Sequence, residues 1–444
     1  MHQLFAYSVV LVSVVMAMAL LPVGQSGAAT LNVKDYGAVA DGKSDATAAF
    51  QRALDAAAQE SGSTVYAPAG TYLIAGTVCV PSGTTLKGDY SGPGRQRGTI
   101  LLATGGKGKS EGPGCIVLSG GSGFRNVAIQ YPEQAADLKE PIPYPYAITG
   151  AADGRIEDIF LHNAYQGINL DGAHASVVRN VWGEPLKVGI NVDHCYDVSR
   201  IENVHFWPYF TLDKPLRAWV QKNGVAFQFG RSDWQYCLNT FCFGYHTGYR
   251  FYRTGEVKPN PQVTYEAGVT NGNFVGIGAD RCAIAVDVED SFSIGVSITN
   301  GEFAPFGVTD SRGILLRKGN TGNLTLVNCS FWAVPSTLIE VRDGSLNLSA
   351  CNIHDWAAAR EGRPAMIATG GRLNVNGCTF NQGGKLAVLD GADTKAIFSG
   401  NMSTGPLTVV NRIGSRAVFG ANNPRIKIVR DTTAAAKAKQ SGQP

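Results

Sequence analysis

Charge is scarce in this chain. Asp, Glu, Lys and Arg make up 16% of its 444 residues and leave a formal net charge of +3. That balance lacks the basic surface a nucleic-acid partner demands. Beyond the N-terminus, no apolar run is long enough to cross a bilayer. The chain also has no His-Glu-x-x-His zinc motif, no phosphate-cradling P-loop and no Ser-centred elbow. Nucleic-acid binding, multi-span membrane transport and three common catalytic designs are thereby set aside. Nine cysteines are present, but the odd number and irregular spacing do not describe a disulfide framework.

The ends are read as processing and tail segments. Leu4 to Leu21 is almost unbroken apolar sequence, followed by Pro22 and the small residues Ser26-Gly27-Ala28-Ala29. This is the pattern of a signal peptide spanning residues 1–28, with an uncleaved anchor as the alternative because Met1-His2-Gln3 carries no Lys or Arg. The expected location is secreted or extracytoplasmic, with no membrane contact after cleavage. Residues 29–424 are expected to form one domain, and 425–444 a polar tail.

What fills the domain is a repeat. A six-residue pattern of alternating apolar positions recurs eleven times, as in Phe124-Arg-Asn-Val-Ala-Ile129, Ile156-Glu-Asp-Ile-Phe-Leu161, Val178-Arg-Asn-Val-Trp-Gly183 and Ile201-Glu-Asn-Val-His-Phe206. Later copies include Leu238–Phe243, Val269–Phe274, Ile298–Phe303, Leu326–Phe331 and Ile397–Met402. A short minimum period with variable excess is what a solenoid gives when loops lengthen individual turns. Period-2 alternation and β-branched residues make the units strands rather than helices. A second strand precedes most copies, for example Gly167-Ile-Asn-Leu-Asp171, Gly189-Ile-Asn-Val-Asp193 and Gly224-Val-Ala-Phe-Gln228. The fold expected is all-β, a right-handed parallel β-helix of about eleven coils, a rod about 50 Å long at about 4.8 Å per coil.

The register assigns roles. Cys329, Cys351 and Cys378 fall at the inward position held by Val127, Ile159, Val181 and Val204 in earlier coils, so a buried column is expected, with a disulfide between neighbours as the alternative. Asn126, Asp158, Asn180, Asn203, Asn271, Asn300 and Asn328 share the bend between strands, where stacked amides satisfy turn backbone. A helix from Ala46 to about Ala58, with Asp45 at its start and an apolar stripe of Phe50, Ala53, Leu54 and Ala57, would plug the first coil.

The stretch Val33-Lys-Asp35-Tyr-Gly-Ala38-Val-Ala-Asp41-Gly42-Lys-Ser-Asp45-Ala-Thr47, followed by Val65-Tyr-Ala-Pro68-Ala-Gly70-Thr-Tyr72, resembles the opening of the pectate-lyase-like superfamily. That group includes polygalacturonase- and rhamnogalacturonase-type hydrolases, some glucanases and phage tailspike depolymerases. The resemblance implies a parallel β-helix, a polysaccharide ligand, and a monomer or homotrimer. It does not settle the chemistry, because function lives in sites grafted on a fold. The Asn-Thr-Asp, Asp-Asp and His-Gly set of the polygalacturonase-type hydrolases is absent in that form.

Candidate site residues follow from the outward rows. Asp171 and Asp193 should lie one coil apart, about 5 Å between Cα atoms, which suits general acid–base work or a Ca²⁺ ion, the alternative being a solvated polar face with Asp at strand ends where turns begin. No metal ligand set is assigned. His174 and His194 sit near the pair and are read as structural. Along the same sheet, Asn169, Asn191, Ala226 and Arg250 form one row, and Asp171, Asp193, Gln228, Tyr252, Asp287 and Arg317 the next. Arg250, Asp287 and Arg317 are candidates for holding substrate, the arginines for a uronate carboxylate. On the sheet after the bend, Phe160, Trp182 and His205 occupy successive coils, with Glu184 and Trp207 alongside. Phe160, Trp182 and Trp207 would stack on sugars, while Glu184 and His205 would supply an acid and a base. The alternative is that the long segment 207–236 covers this patch. The function expected is cleavage of a uronate-containing polysaccharide by lyase or hydrolase chemistry, against a non-catalytic glycan-binding rod.

Overall fold

The computed structural model describes residues 28–430 except 60–61, 90–96, 261–262, 307–309, 335 and 357–361. The signal-peptide reading of residues 1–27 and the tail beyond 430 lie outside the described residues. Among those described, fourteen strands form one parallel sheet in strict chain order, from Val78–Val80 to Lys427–Arg430. A second sheet of 24 strands wraps the other sides of the coil. This is a parallel β-helix. The fourteen strands exceed the eleven copies of the six-residue pattern because Val78–Val80 and Leu407–Asn411 precede turns without it and Lys427–Arg430 is the last described strand. Lys427–Arg430, which composition alone leaves to the tail, pairs with Leu407–Asn411.

Alternation along each strand sends every second side chain inward, and stacking coils turns those side chains into files. Phe227 stacks on Tyr249 with centroids 4.8 Å apart, and Phe229 on Phe251 at 5.4 Å. Each such ring buried in full contributes about 2–3 kcal/mol. Cys329, Cys351 and Cys378 are buried in the interior as free thiols.

The bend is made by left-handed backbone. Asn126, Asp158, Asn180, Asn203, Asn239, Asn300 and Asn328 have φ between 52° and 62°. Asn tolerates that region because its short amide bonds locally, and the amides also bond along the axis, Asn203 to Asn180 at 2.8 Å and Asn180 to Asp158 at 2.9 Å. Asn271 does not belong to the file. In its coil Phe274 is the register partner of Cys237, and Gly276 (φ 62°) makes the bend.

Two α-helices interrupt the coil among the described residues. The first, Thr47–Ala57, buries Ala49, Phe50, Ala53, Leu54 and Ala57, and Asp45 accepts the Thr47 N–H at 2.9 Å just before it. The second, Leu216–Asn223, lies in the long excursion after Phe206 and buries Leu216 and Val220.

Candidate functional site

Five neighbouring strands of the fourteen-stranded sheet build the site: Tyr146–Thr149, Gln166–Asp171, Val188–Asp193, Val225–Phe229 and Thr247–Phe251. Ile168, Leu170, Ile190 and Val192 point into the core and fix the register. Asp171 is thereby the direct partner of Asp193, and Asn169 of Asn191. The two carboxylates then diverge in environment. Asp193 is 7% exposed and fully occupied. Its Oδ1 accepts the backbone N–H groups of His194 (2.9 Å) and Arg231 (2.7 Å), and its Oδ2 the hydroxyls of Thr254 (2.8 Å) and Tyr252 (3.0 Å). Gly230 permits this, since a Cβ there would stand 2.4 Å from Asp193 Oδ1.

Asp171 keeps 41% of its side chain exposed, and its Oδ1 lies 2.7 Å from Nδ1 of the buried His194. Partial desolvation pushes the Asp171 carboxyl above the ordinary aspartate value, and the charge of Asp193 adds to this, while His194 pulls the other way. Two tyrosines border the pair. Tyr252 hydrogen-bonds Asp193 and Asn191. Tyr146 feels the charges of Asp171 and Asp193, and burial first, then those charges, push its phenol up so that it holds its proton.

Carboxylate and imidazole oxygens and nitrogens of Asp171, Asp193 and His194 converge within 4.8 Å, a distance a cation would span. The donors fit an ion poorly. Asp193 already receives four hydrogen bonds and Asp171 is paired with His194, so a Ca²⁺, which takes six to eight oxygens, would have to displace that network.

The next row departs from the sequence reading by two residues. Asn191 pairs with Gln228, not Ala226, and Gln228 in turn pairs with Arg250. Arg250 pairs with Asp287, which therefore belongs to the asparagine row rather than the Asp171 row. Arg250 is bound to Glu289 at 2.7 Å. Asp287 is buried and held by both Nε and Nη2 of Arg317, each at 2.7 Å. Asp287 is thus an ion-pair partner, not a group open to substrate.

The other expected cluster lies on a different sheet. Phe160, Trp182, His205 and Phe241 are successive register partners in the 24-stranded sheet. Trp182 stacks on His205 with centroids 5.0 Å apart, and Trp207 packs on Phe243 at 4.4 Å. Phe160 is buried under Tyr209. Glu184 corrects the expectation most sharply, because it has no exposure at all. Its carboxylate accepts the N–H groups of Phe210 (2.7 Å) and Thr211 (2.9 Å) and the Thr211 hydroxyl, with Arg217 at 3.7 Å. Burial raises its proton affinity and those donors oppose the rise. Glu184 anchors a loop, and His205, on this face, is not joined to the Asp171 pair.

Three participants were missed or undervalued by pattern alone: Tyr146, Thr254 and His194. Thr254 arrives from a segment whose strands Val257–Asn260 and Val263–Tyr265 form an antiparallel hairpin, and the Gly255 carbonyl of that segment reaches His194 Nε2 at 3.4 Å. Trp234, expected in the cover of the aromatic patch, instead stands 58% exposed on the 24-stranded sheet.

Comparison with known proteins bears on the fold. The family model described as rhamnogalacturonase A/epimerase, pectate lyase-like, matches residues 30–110. Mannuronan C5-epimerase AlgE3 of Azotobacter vinelandii is 60% identical over 45 residues, 10% of this chain and only 2% of that protein. The A-module of mannuronan C-5 epimerase AlgE6 from the same organism superposes with a TM-score of 0.52 at 16% identity, covering 90% of this chain and 100% of that one. The Streptococcus pneumoniae surface protein and adhesin PfbA gives 0.51 at 16%, again covering 90% and 100%. The chain thus shares the parallel β-helix fold with these structures, and residues 30–110 are similar to the opening of pectate-lyase-like proteins.

Proposed function

We propose that the protein is an extracytoplasmic enzyme that cleaves a uronate-containing polysaccharide by β-elimination, with Asp171 as the proton-transfer carboxylate. An epimerase module and an adhesin share the fold at nearly equal scores, so the choice rests on the site. The observation that carries it is the asymmetry of the Asp pair: an exposed carboxylate braced by a buried imidazole at 2.7 Å, beside a second carboxylate already saturated.

Hydrolysis by paired carboxylates needs two of them free on either side of the bond. Asp193 is occupied and Glu184 sealed, which leaves one. One base and one hydroxyl acid suffice for elimination. Asp171, made more basic by its surroundings, removes the proton α to the uronate carboxyl. The C–H pair becomes the new C=C bond, and the glycosidic C–O bond breaks. The Tyr146 phenol, which holds its proton, gives it to the departing oxygen. Arg250 lies three coils from Asp171 in the neighbouring row and, although shared with Glu289, has a guanidinium suited to a uronate carboxylate farther along the same polysaccharide. The Lys187 ammonium is engaged elsewhere, donating to the Asn223 carbonyl at 3.2 Å and lying over the Trp219 ring, so it is not the base.

The test is to incubate the protein with pectin, alginate and neutral glucans while following ultraviolet absorbance of unsaturated uronate and the release of reducing ends. Elimination gives both signals on an acidic polymer. Reducing ends without the absorbance would mean hydrolysis, and silence in both across the panel would favour a glycan-binding rod.

A further inference from the structure

We infer a second carbohydrate-binding trough on the 24-stranded sheet, remote from Asp171, that takes an extended carboxylated polysaccharide. Its floor is a file of short polar side chains on five consecutive coils, Asn273, Ser297, Thr325, Asn347 and Asn374, each the register partner of the next. Two surface cavities lie over this file. One, of about 310 Å³, runs from Trp234 to Thr325, and the other, of about 330 Å³, from Asn347 to Ile397. They meet where Asn347 Nδ2 approaches Thr325 Oγ1 at 3.4 Å.

The two ends of the trough differ in a way that selects the ligand. At one, Trp234 is 58% exposed in left-handed backbone (φ 54°), and its backbone N–H donates to Asn271 Oδ1 at 3.0 Å. A bulky residue in that region is strained, and here the result is an indole presented to solvent, a platform for a sugar ring. At the other end, Arg372 and Lys395 are direct register partners and both are exposed. Like charges opposite one another repel, and among the described residues neither forms an ion pair. The same face neutralises its charges in the early coils, where Arg179 sits between Glu157 (3.5 Å) and Glu202 (2.9 Å). The uncompensated pair is therefore complementary to anionic groups repeated at about the 4.8 Å coil spacing. Between the two ends, amides and hydroxyls suit the hydroxyls of a sugar chain.

The test titrates the full-length Asp171→Asn protein with a hexamer of a uronic acid and with a neutral glucan hexamer, by calorimetry at low salt. Into that background go Arg372→Gln with Lys395→Gln, and separately Trp234→Ala. All three positions are exposed, and thermal melting verifies that the fold persists. The double variant is expected to weaken binding of the acidic hexamer by about tenfold and Trp234→Ala by a few-fold, with added salt weakening the parent. Unchanged affinity in the double variant, equal binding of the neutral hexamer, or no binding of the acidic one overturns the trough. None of these readouts depends on turnover, so the trough and the Asp171 chemistry fail separately.

Discussion

Asp193 and Glu184 are both buried carboxylates supplied with backbone N–H and hydroxyl donors, yet their neighbourhoods make them different kinds of residue. Asp193 is satisfied by His194, Arg231, Tyr252 and Thr254, and its register partner Asp171 reaches solvent. Glu184 is satisfied by Phe210 and Thr211 with Arg217 nearby, and it ends beneath its loop. A buried, satisfied carboxylate is a structural clamp in both places. What distinguishes the first region is the exposed group that the clamp holds in position.

Substitutions can break that comparison, beginning with the largest effect. Asp171→Asn is expected to lower turnover on an acidic polysaccharide by about 10²–10⁴ with little change in melting temperature; a variant of near-normal rate would remove Asp171 from the chemistry. Glu184→Ala should do the reverse, costing about 3 kcal/mol of stability by leaving buried donors and Arg217 without their acceptor while the folded fraction keeps its rate. Calorimetry and active-fraction kinetics separate the two. Tyr252→Phe removes one of the four Asp193 donors and should cost about 1 kcal/mol, read from denaturant midpoints.

The pH dependence sharpens the contrast further. Activity that needs ionised Asp171 should fall as pH drops through a midpoint above the ordinary aspartate value. For stability the sign is opposite. The folded state holds the Asp171 proton more tightly than the unfolded chain does, so stability is present below the unfolded pKa and declines as pH rises through the folded one. Asp171→Asn should therefore gain slightly over the parent at neutral pH and lose that advantage in acid. A variant less stable than the parent at neutral pH would contradict the raised value.

The coil was legible because its signal is repeated. Inward residues recur with period 2, and the bend asparagines mark each turn, so a misread in one coil, such as Asn271, is outvoted by the others. The Asp171–Asp193 pairing was legible for the same reason, since two nearly identical pentapeptides one short turn apart must align. The rows beyond failed where the pattern was ambiguous. Gly224-Val-Ala-Phe-Gln228 matches its neighbour in two alignments two residues apart, and the structure adopts the one that places Gly230 against Asp193. That glycine was the available signal, because a position with no side chain beside a carboxylate lets backbone donors approach. Thr254 comes from an excursion without periodicity, and Tyr146 opens a strand of only four residues, Tyr146–Thr149, too short to show the repeat. Glu184 looked like an acid because alternation gives a direction for its side chain but says nothing of what a later loop lays over it.

The most direct measurement is a crystal structure of the Asp171→Asn protein soaked with a uronic acid oligomer. The expected result is a sugar ring bound across residue 171 within reach of the Tyr146 hydroxyl, with a uronate carboxylate farther along the oligomer at Arg250, three coils away. An oligomer bound only along the Trp182–His205 face, with residue 171 bare, would contradict it.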